Sequence, residues 1–489
     1  PPMAVRQAPP PNPRSARESV PGNAPDAAAP ARAPHPAPHP APPPGRHVLF
    51  DVTTCHYNRG RVMTGIPRVE LNLAAAIAEA LGDAVTFLRY DAKSGQPVIE
   101  PAATVLTWGR EAPTEKLGRS ETGIFARSRL LAAIASRHSP VRRLGRTLER
   151  GVRRGRRRLA SALDATAKRP AAAGGTASPL GERLAKLANR DLVFVHFGAD
   201  WLAADLLAKI QETAARPVET RVLVHDLLPL DFPEFYPVEF RKRFADYVTD
   251  FVLPADRLFA YSEYTRGRLS ERAGIAAERV IRVHLPTDMS ALMDTAPEPV
   301  ASIAEQDEPF FLTVGVVCKR KNQAFLVDVW EAVLKQGEKL PLLVIAGSLR
   351  SAGDAYAMRL YRRVQATQLL RDNVHFVENA PDRQLMWLYS NCIGFLFPSL
   401  AEGWGLPITE AISMGVPCIT SDRTAVPEAG DGKARVLPME LERWSSEVRN
   451  FANQRLTLNV PEADLSHDKP FTWQKLAAEL LQPHRLTKL

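Results

Sequence analysis

The chain has 489 residues and a hydrophobic content of 45%, enough for two sizeable domains that each bury a core. Its four cysteines show no C-x-x-C spacing, which argues against a disulfide framework or a zinc site and favours a reducing cytosol. No apolar run approaches the roughly 20 residues that span a bilayer, and the N-terminus lacks an apolar signal core. We therefore expect a cytoplasmic protein that is soluble or peripheral at the inner membrane face.

The net charge of +9 comes from one segment of the chain. Arg137–Arg158 contains ten arginines and one acid, Glu149, so that the remaining 53 basic and 53 acidic residues balance. The high isoelectric point therefore describes this segment and not the body of the protein.

Residues 1–46 form a Pro/Ala-rich tail that holds 16 of the 42 prolines. Such a composition cannot build a core, and it predicts a disordered or polyproline-like segment.

A basic insertion at about 110–190 interrupts the first domain. Within Arg137–Arg158, the apolar residues Val141, Leu144, Leu148 and Val152 fall on one helical stripe, and arginines cover the other faces. A basic amphipathic helix of this kind favours an anionic membrane surface, although a solvated surface helix fits the same pattern. No aromatic residue lies between the arginines, which argues against nucleic acid as a partner.

Alternating strands and helices predict a first Rossmann-like domain over 47–287. Its predicted strands are His47–Val52, Val85–Tyr90, Ala103–Trp108, Leu192–His196, Arg221–His225, Arg257–Tyr261 and Val280–Leu285. A polar loop over Thr53–Gly65 leads into a helix over Val69–Leu81. Residues 288–308, rich in Pro, Glu and Ser, are predicted to be a linker.

The same alternation continues in a second domain over 309–470. Its predicted strands are Phe310–Val317, Leu342–Ala346, Val374–Val377, Ile393–Phe397 and Val416–Thr420, with helices between them. This order is typical of doubly wound parallel sheets. The last segment, 471–489, begins with a predicted helix over Phe471–Leu481 that can cross back and pack on the first domain.

The stretch from Asn391 to Asp422 predicts a ligand site. It consists of a strand, a loop with Gly403 and Gly405, a helix and a second strand, so that the loop lies at the carboxyl edge of a parallel sheet. Free amides at such a helix start attract anions, and two carboxylates, Glu402 and Glu410, frame the position. A sugar nucleotide needs this combination of amides and hydroxyl acceptors.

A dinucleotide fingerprint is the alternative interpretation of this stretch. The pattern G-x-G-x-x-G lacks its third glycine, because Ile408 occupies that position, and the unit comes late in its domain. The dehydrogenase hypothesis is therefore weak.

Several motifs resemble the retaining glycosyltransferases of family 4, which have the GT-B fold of two facing Rossmann-like domains. The motifs are V-G-x-x-x-x-R-K-N at 314–322, A-G-S at 346–348, P-S-x-x-E-G-W-G-L-P-x-x-E-A at 398–411, G-V-P-C-I-T-S-D at 415–422 and V-P-E-A-G at 426–430. In the first domain T-G-I-P-R-V and V-H-D-L-L-P are consistent with the same family. The resemblance covers about 47–67 and 191–480.

The resemblance implies roles for the two glutamates and for a basic pair. Glu402 would contact hydroxyls of the transferred sugar, and Glu410 would accept hydrogen bonds from the nucleotide ribose. Arg320 and Lys321 would stabilise the diphosphate, as opposed to forming a solvated basic surface run. The donor would also contact Gly65, Gly315, Gly403, Trp404, Gly405 and Leu406.

First-domain residues complete the expected cleft. The resemblance implies that His225 lies near the donor sugar or acceptor and that Asp226 accepts a hydroxyl, while a structural role is the ordinary alternative for a histidine. Arg68 and His56 rank behind them, and Trp404 fits a hydrophobic plug behind the loop. No metal-binding Asp-x-Asp pattern occurs near these loops, and no enzyme nucleophile is expected.

The sequence thus predicts a metal-independent, retaining glycosyltransferase that uses a nucleoside-diphosphate sugar and needs no further cofactor. GDP-mannose is the favoured donor, and a glycan or lipid-linked molecule in bacterial surface-polysaccharide assembly is the expected acceptor. The alternatives are a GT-B epimerase and a non-catalytic sugar-nucleotide-binding scaffold that docks on membranes through Arg137–Arg158.

Overall fold

The structure is a computed structural model that describes residues 45–59, 65–108, 178–199, 201–286, 296–349, 355–454 and 471–482. Residues 1–44 of the predicted tail and the Arg137–Arg158 segment lie outside the described residues, while Arg46, the last residue of the predicted tail, begins the first strand. Among the helices within these ranges, none has the length and apolar character needed to cross a bilayer.

The first sheet has seven strands in the order β3-β2-β1-β4-β5-β6-β7, and all neighbours are parallel except β2 and β3. The short uncharged runs of its central strands suit burial on both faces, as in β1, where Val48 to Asp51 are all buried. The strands are β1 Arg46–Asp51, β2 Val85–Asp91, β3 Gln96–Glu100, β4 Asp191–His196, β5 Val218–Val224, β6 Arg257–Ala260 and β7 Val280–Arg282.

Helices cover both faces of this sheet. They are α1 Thr53–Asn58, α2 Ile66–Leu81, α3 Ala102–Thr107, α4 Pro179–Lys186, α5 Ala203–Ala214, α6 Leu228–Asp231, α7 Val238–Tyr247 and α8 Glu263–Ala273, with a π-helical turn at Val248–Val252. Of the predicted insertion, residues 178–190 are described, and there Leu180 and Leu184 of α4 are buried.

The predicted strand over Ala103–Trp108 is wrong, because this segment forms α3. Its two buried side chains, Val105 and Trp108, are three residues apart, which is the spacing of one helical face and not of a strand. The antiparallel edge strand β3 and the short helix α1 inside the predicted loop were both missed.

The second sheet has six parallel strands in the order β10-β9-β8-β11-β12-β13. They are β8 Phe310–Val314, β9 Leu342–Ala346, β10 Val374–Val377, β11 Gly394–Phe397, β12 Cys418–Ser421 and β13 Ala434–Leu437. Its helices are α9 Ala301–Ala304, α10 Gln323–Leu334, α11 Tyr356–Ala366, α12 Gln368–Arg371, α13 Asp382–Asn391, α14 Leu406–Ser413, α15 Val426–Gly430 and α16 Leu441–Gln454. In the described part of the predicted linker, α9 and its flank bury Val300 and Ile303 in this domain.

The C-terminal helix α17, Trp473–Leu481, packs in the core of the first domain. Leu476, Ala477 and Leu480 belong to the same buried cluster as residues of α2. At its end, the buried Arg221 of β5 donates from Nη1 to the carbonyl oxygen of Leu480 at 2.6 Å. A guanidinium at this place satisfies a helix-terminal carbonyl that has no partner within the helix.

Truncating the buried side chain of Leu480 tests how much α17 stabilises the first domain. We expect Leu480→Ala to lower the free energy of unfolding by about 2–5 kcal/mol, because Leu480 is 1% exposed and its loss leaves a cavity. Leu441→Ala is the matched control, since Leu441 is 40% exposed, and it should change stability by less than about 0.5 kcal/mol. Equal effects of the two substitutions in denaturant unfolding would contradict this assignment.

Candidate functional site

The candidate site lies where the chain reverses direction across the second sheet. Strand β8 has β9 on one side and β11 on the other, so the loops after β8 and β11 meet at the carboxyl edge. The amide of Leu400 donates to the carbonyl oxygen of Arg320 at 2.8 Å, and Arg320 Nη1 donates to the carbonyl oxygen of Ala401 at 2.5 Å. These two hydrogen bonds fix the loop over Ser399–Leu406, here called the donor loop, against the loop after β8.

Glu402 forms a buried triad with Arg320 and Lys321. Its Oε2 lies 2.8 Å from Arg320 Nη1, and its Oε1 lies 2.7 Å from Lys321 Nζ. The hydroxyl of Ser399 donates to Oε1 at 2.7 Å, and Lys321 Nζ also lies 4.8 Å from the centre of the Phe397 ring. The three charged residues that the sequence predicted for the donor therefore form one cluster.

Electrostatics keep this triad ionised. Burial alone would raise the pKa of Glu402, but the Arg320 and Lys321 cations hold it at about 2. Burial also lowers the pKa of Lys321, opposed by the Glu402 carboxylate. Burial lowers the pKa of Arg320, but the Glu402 carboxylate together with Tyr236 and Cys318 raises it above its usual range. The triad thus carries two positive charges and one negative charge.

Two glycines give the donor loop its path. A Cβ at Gly403 would lie 2.3 Å from the carbonyl oxygen of His225 and 2.8 Å from Cβ of Asp226, so only glycine allows this approach between the domains. Gly405 has a φ of +128°, a conformation that other residues rarely adopt, and it precedes α14. Gly405 thus turns the chain from the donor loop directly into α14.

Trp404 and Leu406 attach the donor loop to the other domain. Both pack, partly buried, against the hydrophobic core of the first domain, and Trp404 also contacts the core of the second. Within the described residues, the buried Nε1 of Trp404 has no hydrogen-bond partner. These contacts fit the hydrophobic role considered for Trp404 from the sequence.

The first domain places His225 and Asp226 against the donor loop. Burial lowers the pKa of His225 to about 4, so its ring is neutral at pH 7, and Nε2 lies 2.8 Å from the carbonyl oxygen of Phe197. The acceptor carbonyl requires the proton on Nε2, which leaves Nδ1 as a hydrogen-bond acceptor. Asp226 Oδ1 accepts from the amide of Leu228, and burial raises the pKa of Asp226.

Glu410 is held by one residue from each domain. Arg68 Nη1, from the first turn of α2, lies 3.0 Å from Oε1, and the hydroxyl of Tyr389 donates to Oε2 at 2.9 Å. Glu410 is 8% exposed. Arg68 was only a weak candidate from the sequence, and nothing in the sequence pointed to Tyr389.

Three further residues that the sequence singled out, Gly315, Gly65 and His56, have other surroundings. Gly315 follows β8, and the aliphatic part of Lys321 lies 3.4 Å from the position that a Cβ at Gly315 would take. Gly65 immediately precedes α2, and no atom of the described residues lies within 4 Å of the position that a Cβ at Gly65 would take. His56 packs edge-on against Trp108 and is hydrogen-bonded to Arg59.

A carboxylate that the sequence motifs contained but did not explain joins the two domains. Glu428 of α15 accepts hydrogen bonds from the amides of Glu263 and Tyr264, at 2.7 and 2.9 Å. These amides begin α8 of the first domain, where a carboxylate is favoured by the helix dipole. Nearby, the hydroxyl of Ser262 donates to the carbonyl oxygen of Gly403 at 3.0 Å. We call these contacts the interdomain clamp.

Two further observations concern metal binding and a second cleft. In the part of the chain that the structure describes, no group of three or more His, Cys, Asp or Glu side chains is arranged to hold a metal ion. A separate surface cleft of about 400 Å³ lies beside α11 and β10, and its lining contains none of the predicted site residues.

The second domain matches one protein-family model. Residues 296–436 match the family model described as "Glycosyl transferases group 1". The match confirms the prediction that this domain is of the glycosyltransferase type.

Comparison with curated proteins finds mannosyltransferases. A "Serotype-specific mannosyltransferase WbdA" of Escherichia coli is 28% identical over 273 residues, which are 53% of this chain and 32% of the relative. The "O-antigen chain mannosyltransferase B" of Escherichia coli is 22% identical over 267 residues, 54% of this chain and 69% of the relative. The chain thus spans about a third of the length of the WbdA protein.

Solved structures confirm the fold. HepE from Anabaena, determined in complex with UDP and glucose, has a TM-score of 0.50 and 16% identity, covering 89% of this chain and 94% of that one. The sucrose-phosphate synthase of Thermosynechococcus elongatus also has a TM-score of 0.50, with 17% identity over 89% of this chain and 94% of that one. The predicted arrangement of two Rossmann-like domains in a GT-B fold is therefore correct.

The triad gives stability a defined pH dependence. Because the pKa of Glu402 is lowered from 4.5 to about 2 on folding, the carboxylate stabilises the fold above pH 4.5, and this stabilisation is lost as the pH falls towards 2. We expect Glu402→Gln to lower the free energy of unfolding by about 3 kcal/mol at pH 7, and the difference from wild type to shrink below pH 4.5.

Urea unfolding between pH 3 and 7 measures this dependence. Glu442→Gln, which changes an exposed carboxylate of α16, is the control and should show no such loss. A difference between wild type and Glu402→Gln that stays constant over the whole range would rule out the electrostatic origin.

The interdomain clamp predicts a change in domain separation. Glu428→Gln removes the charge that two helix-start amides bind, at an expected cost of about 1–3 kcal/mol to the closed arrangement. We expect a larger radius of gyration in small-angle X-ray scattering. Glu278→Gln, which changes an exposed acid of the first domain, should leave the scattering curve unchanged. Identical curves for all three proteins would refute a clamping role.

Proposed function

We propose that the chain is a retaining, metal-independent glycosyltransferase that moves a hexose from a nucleoside-diphosphate sugar to a glycan or lipid-linked acceptor. Mannose is the favoured sugar and GDP-mannose the favoured donor. The observation that carries the proposal is the buried Glu402–Arg320–Lys321 triad at the carboxyl edge of the second sheet, opposite His225 and Asp226 of the first domain. Two curated relatives whose names call them mannosyltransferases support the choice of sugar.

In this proposal Glu402 positions the sugar through a single acceptor position. A carboxylate offers about four lone-pair positions. Lys321 and Ser399 occupy both positions on Oε1, and Arg320 occupies one on Oε2. One position on Oε2 remains for a sugar hydroxyl, fewer than the roughly four that a free carboxylate provides. The triad would therefore select a hydroxyl by direction as well as by charge.

The diphosphate would lie against the amides of Gly403–Leu406 and the two cations of the triad. Negative charge grows on the diphosphate as the bond to the sugar breaks, and cations already fixed in place stabilise it without reorganisation. The triad keeps one uncompensated positive charge for this purpose. This is the role that a metal ion takes in other transferases.

Glu410 would accept the ribose hydroxyls. Its two oxygens each have one partner, Arg68 or Tyr389, so each retains one lone-pair position for a neighbouring hydroxyl. Gly315 and Gly65 would border the diphosphate from the two domains.

His225 and Asp226 would orient the transferred sugar or the acceptor. The neutral His225 ring offers Nδ1 as an acceptor for a hydroxyl hydrogen. In the mechanism that the family resemblance implies, the leaving diphosphate takes the proton of the acceptor hydroxyl on the same face of the sugar. No covalent intermediate with the enzyme is then required.

Bacterial surface-polysaccharide assembly is the proposed setting. The name "O-antigen chain mannosyltransferase B" of one relative supports it. The site would then act at the inner membrane face, with Arg137–Arg158 as the proposed contact to anionic lipid.

Transfer assays with purified protein test this assignment. We expect Glu402→Ala and the double substitution Arg320→Ala/Lys321→Ala to lower kcat/KM for donor turnover by about a hundredfold or more, because each removes preorganised charge at the diphosphate. Lys335→Ala, an exposed lysine of the same domain, is the control and should retain full activity. Full activity in the triad variants would contradict the proposed site.

A further inference from the structure

Arg68 and Glu410 form an ion pair across the cleft, and each belongs to the first turns of a helix that points into it. Arg68 is the third residue of α2 and Glu410 the fifth residue of α14. Both side chains are largely buried, with side-chain exposures of 19% and 11%. Neither the family match at 296–436 nor the donor motifs include Arg68.

This geometry places the Arg68 guanidinium close to the proposed diphosphate position. Glu410 lies about one helical turn inside α14, roughly 6 Å along the helix axis from the first amides of that helix. The Arg68 guanidinium binds the Glu410 carboxylate and so lies close to the same helix start. Those amides, with Gly403 and Gly405, are the proposed cradle of the diphosphate. Trp404 and Leu406 pack on the first domain at the same place, which holds α2 near the donor loop.

The charges of the cleft are arranged in pairs that a donor would disturb. Arg320 and Lys321 share Glu402, and Arg68 is paired with Glu410. Ribose hydroxyls that bind Glu410 share its oxygens with Arg68 and Tyr389, while the diphosphate brings at least two negative charges beside them. A guanidinium binds phosphate oxygens in a fork and so gains more there than on a carboxylate that is also used by hydroxyls.

We propose that Arg68 leaves Glu410 for the donor diphosphate when the donor binds, so that the first domain supplies a third cation to the leaving group. The inference rests on the proposed function of the cleft. Tyr389 keeps its hydrogen bond to Glu410 throughout, and this bond holds the carboxylate for the ribose after Arg68 has moved. The alternative is that Arg68 only holds the empty cleft closed and competes with the donor.

Binding of a nucleoside diphosphate and of its nucleoside separates these two roles. The full chain is titrated calorimetrically with GDP and guanosine, and with UDP and uridine, in wild type, Arg68→Gln, Arg68→Lys and Tyr389→Phe. If Arg68 binds the diphosphate, Arg68→Gln weakens diphosphate binding about tenfold or more and leaves the nucleoside unchanged or slightly tighter. Arg68→Lys should restore part of the loss, because it keeps the charge but not the fork.

Tyr389→Phe is the control for damage to Glu410 itself. It should weaken the nucleoside and the diphosphate by the same factor, because it acts only on the ribose acceptor. Unchanged or tighter diphosphate binding in Arg68→Gln would overturn the inference and leave the proposed function standing. Failure of wild type to bind either diphosphate would overturn both.

Discussion

A buried carboxylate between two cations is the constraint on which the rest of the site depends. Glu402 is 6% exposed and would be strongly destabilised by burial if it stood alone. Arg320 and Lys321 make its charge tolerable, and the same contacts fix both cations at the carboxyl edge of the sheet. The loop after β8 and the donor loop are thus held together by the groups that would do the chemistry. The ion pairs of Glu402 with Arg320 and Lys321 stabilise the fold, and in the proposed function the same groups would bind the donor.

Contacts across the cleft likewise make each domain depend on the other. The donor loop needs Gly403 in order to approach His225 and Asp226, and it needs the first-domain core as a surface for Trp404 and Leu406. Glu428 then binds the start of α8 from the opposite direction. The cleft is therefore not a gap between two finished domains, because each domain completes the walls of the other.

The sequence predicted what is local and left open what depends on contacts over long distances. The apolar runs and the glycine positions were sufficient for the doubly wound sheets, and the motif around Glu402 predicted the sheet edge at which the structure brings Glu402, Arg320 and Lys321 together. The strand predicted over Ala103–Trp108 was wrong because four of its six residues are exposed and the burial of Val105 and Trp108 reflects helical spacing. Nothing in the sequence could show that Arg68 meets Glu410, since 342 residues separate them. The two charges look like independent surface residues until the fold brings them to one point.

The position of the last helix has a consequence for the order of folding during synthesis. Leu476, Ala477 and Leu480 are part of the first-domain core, yet they are translated after the whole of the second domain. The second domain has its described strands and helices complete by α16 and can fold as soon as that segment emerges. The first domain is translated earlier but cannot cover α2 until α17 has been made. Its apolar face on α2 therefore stays uncovered while the second domain is synthesised.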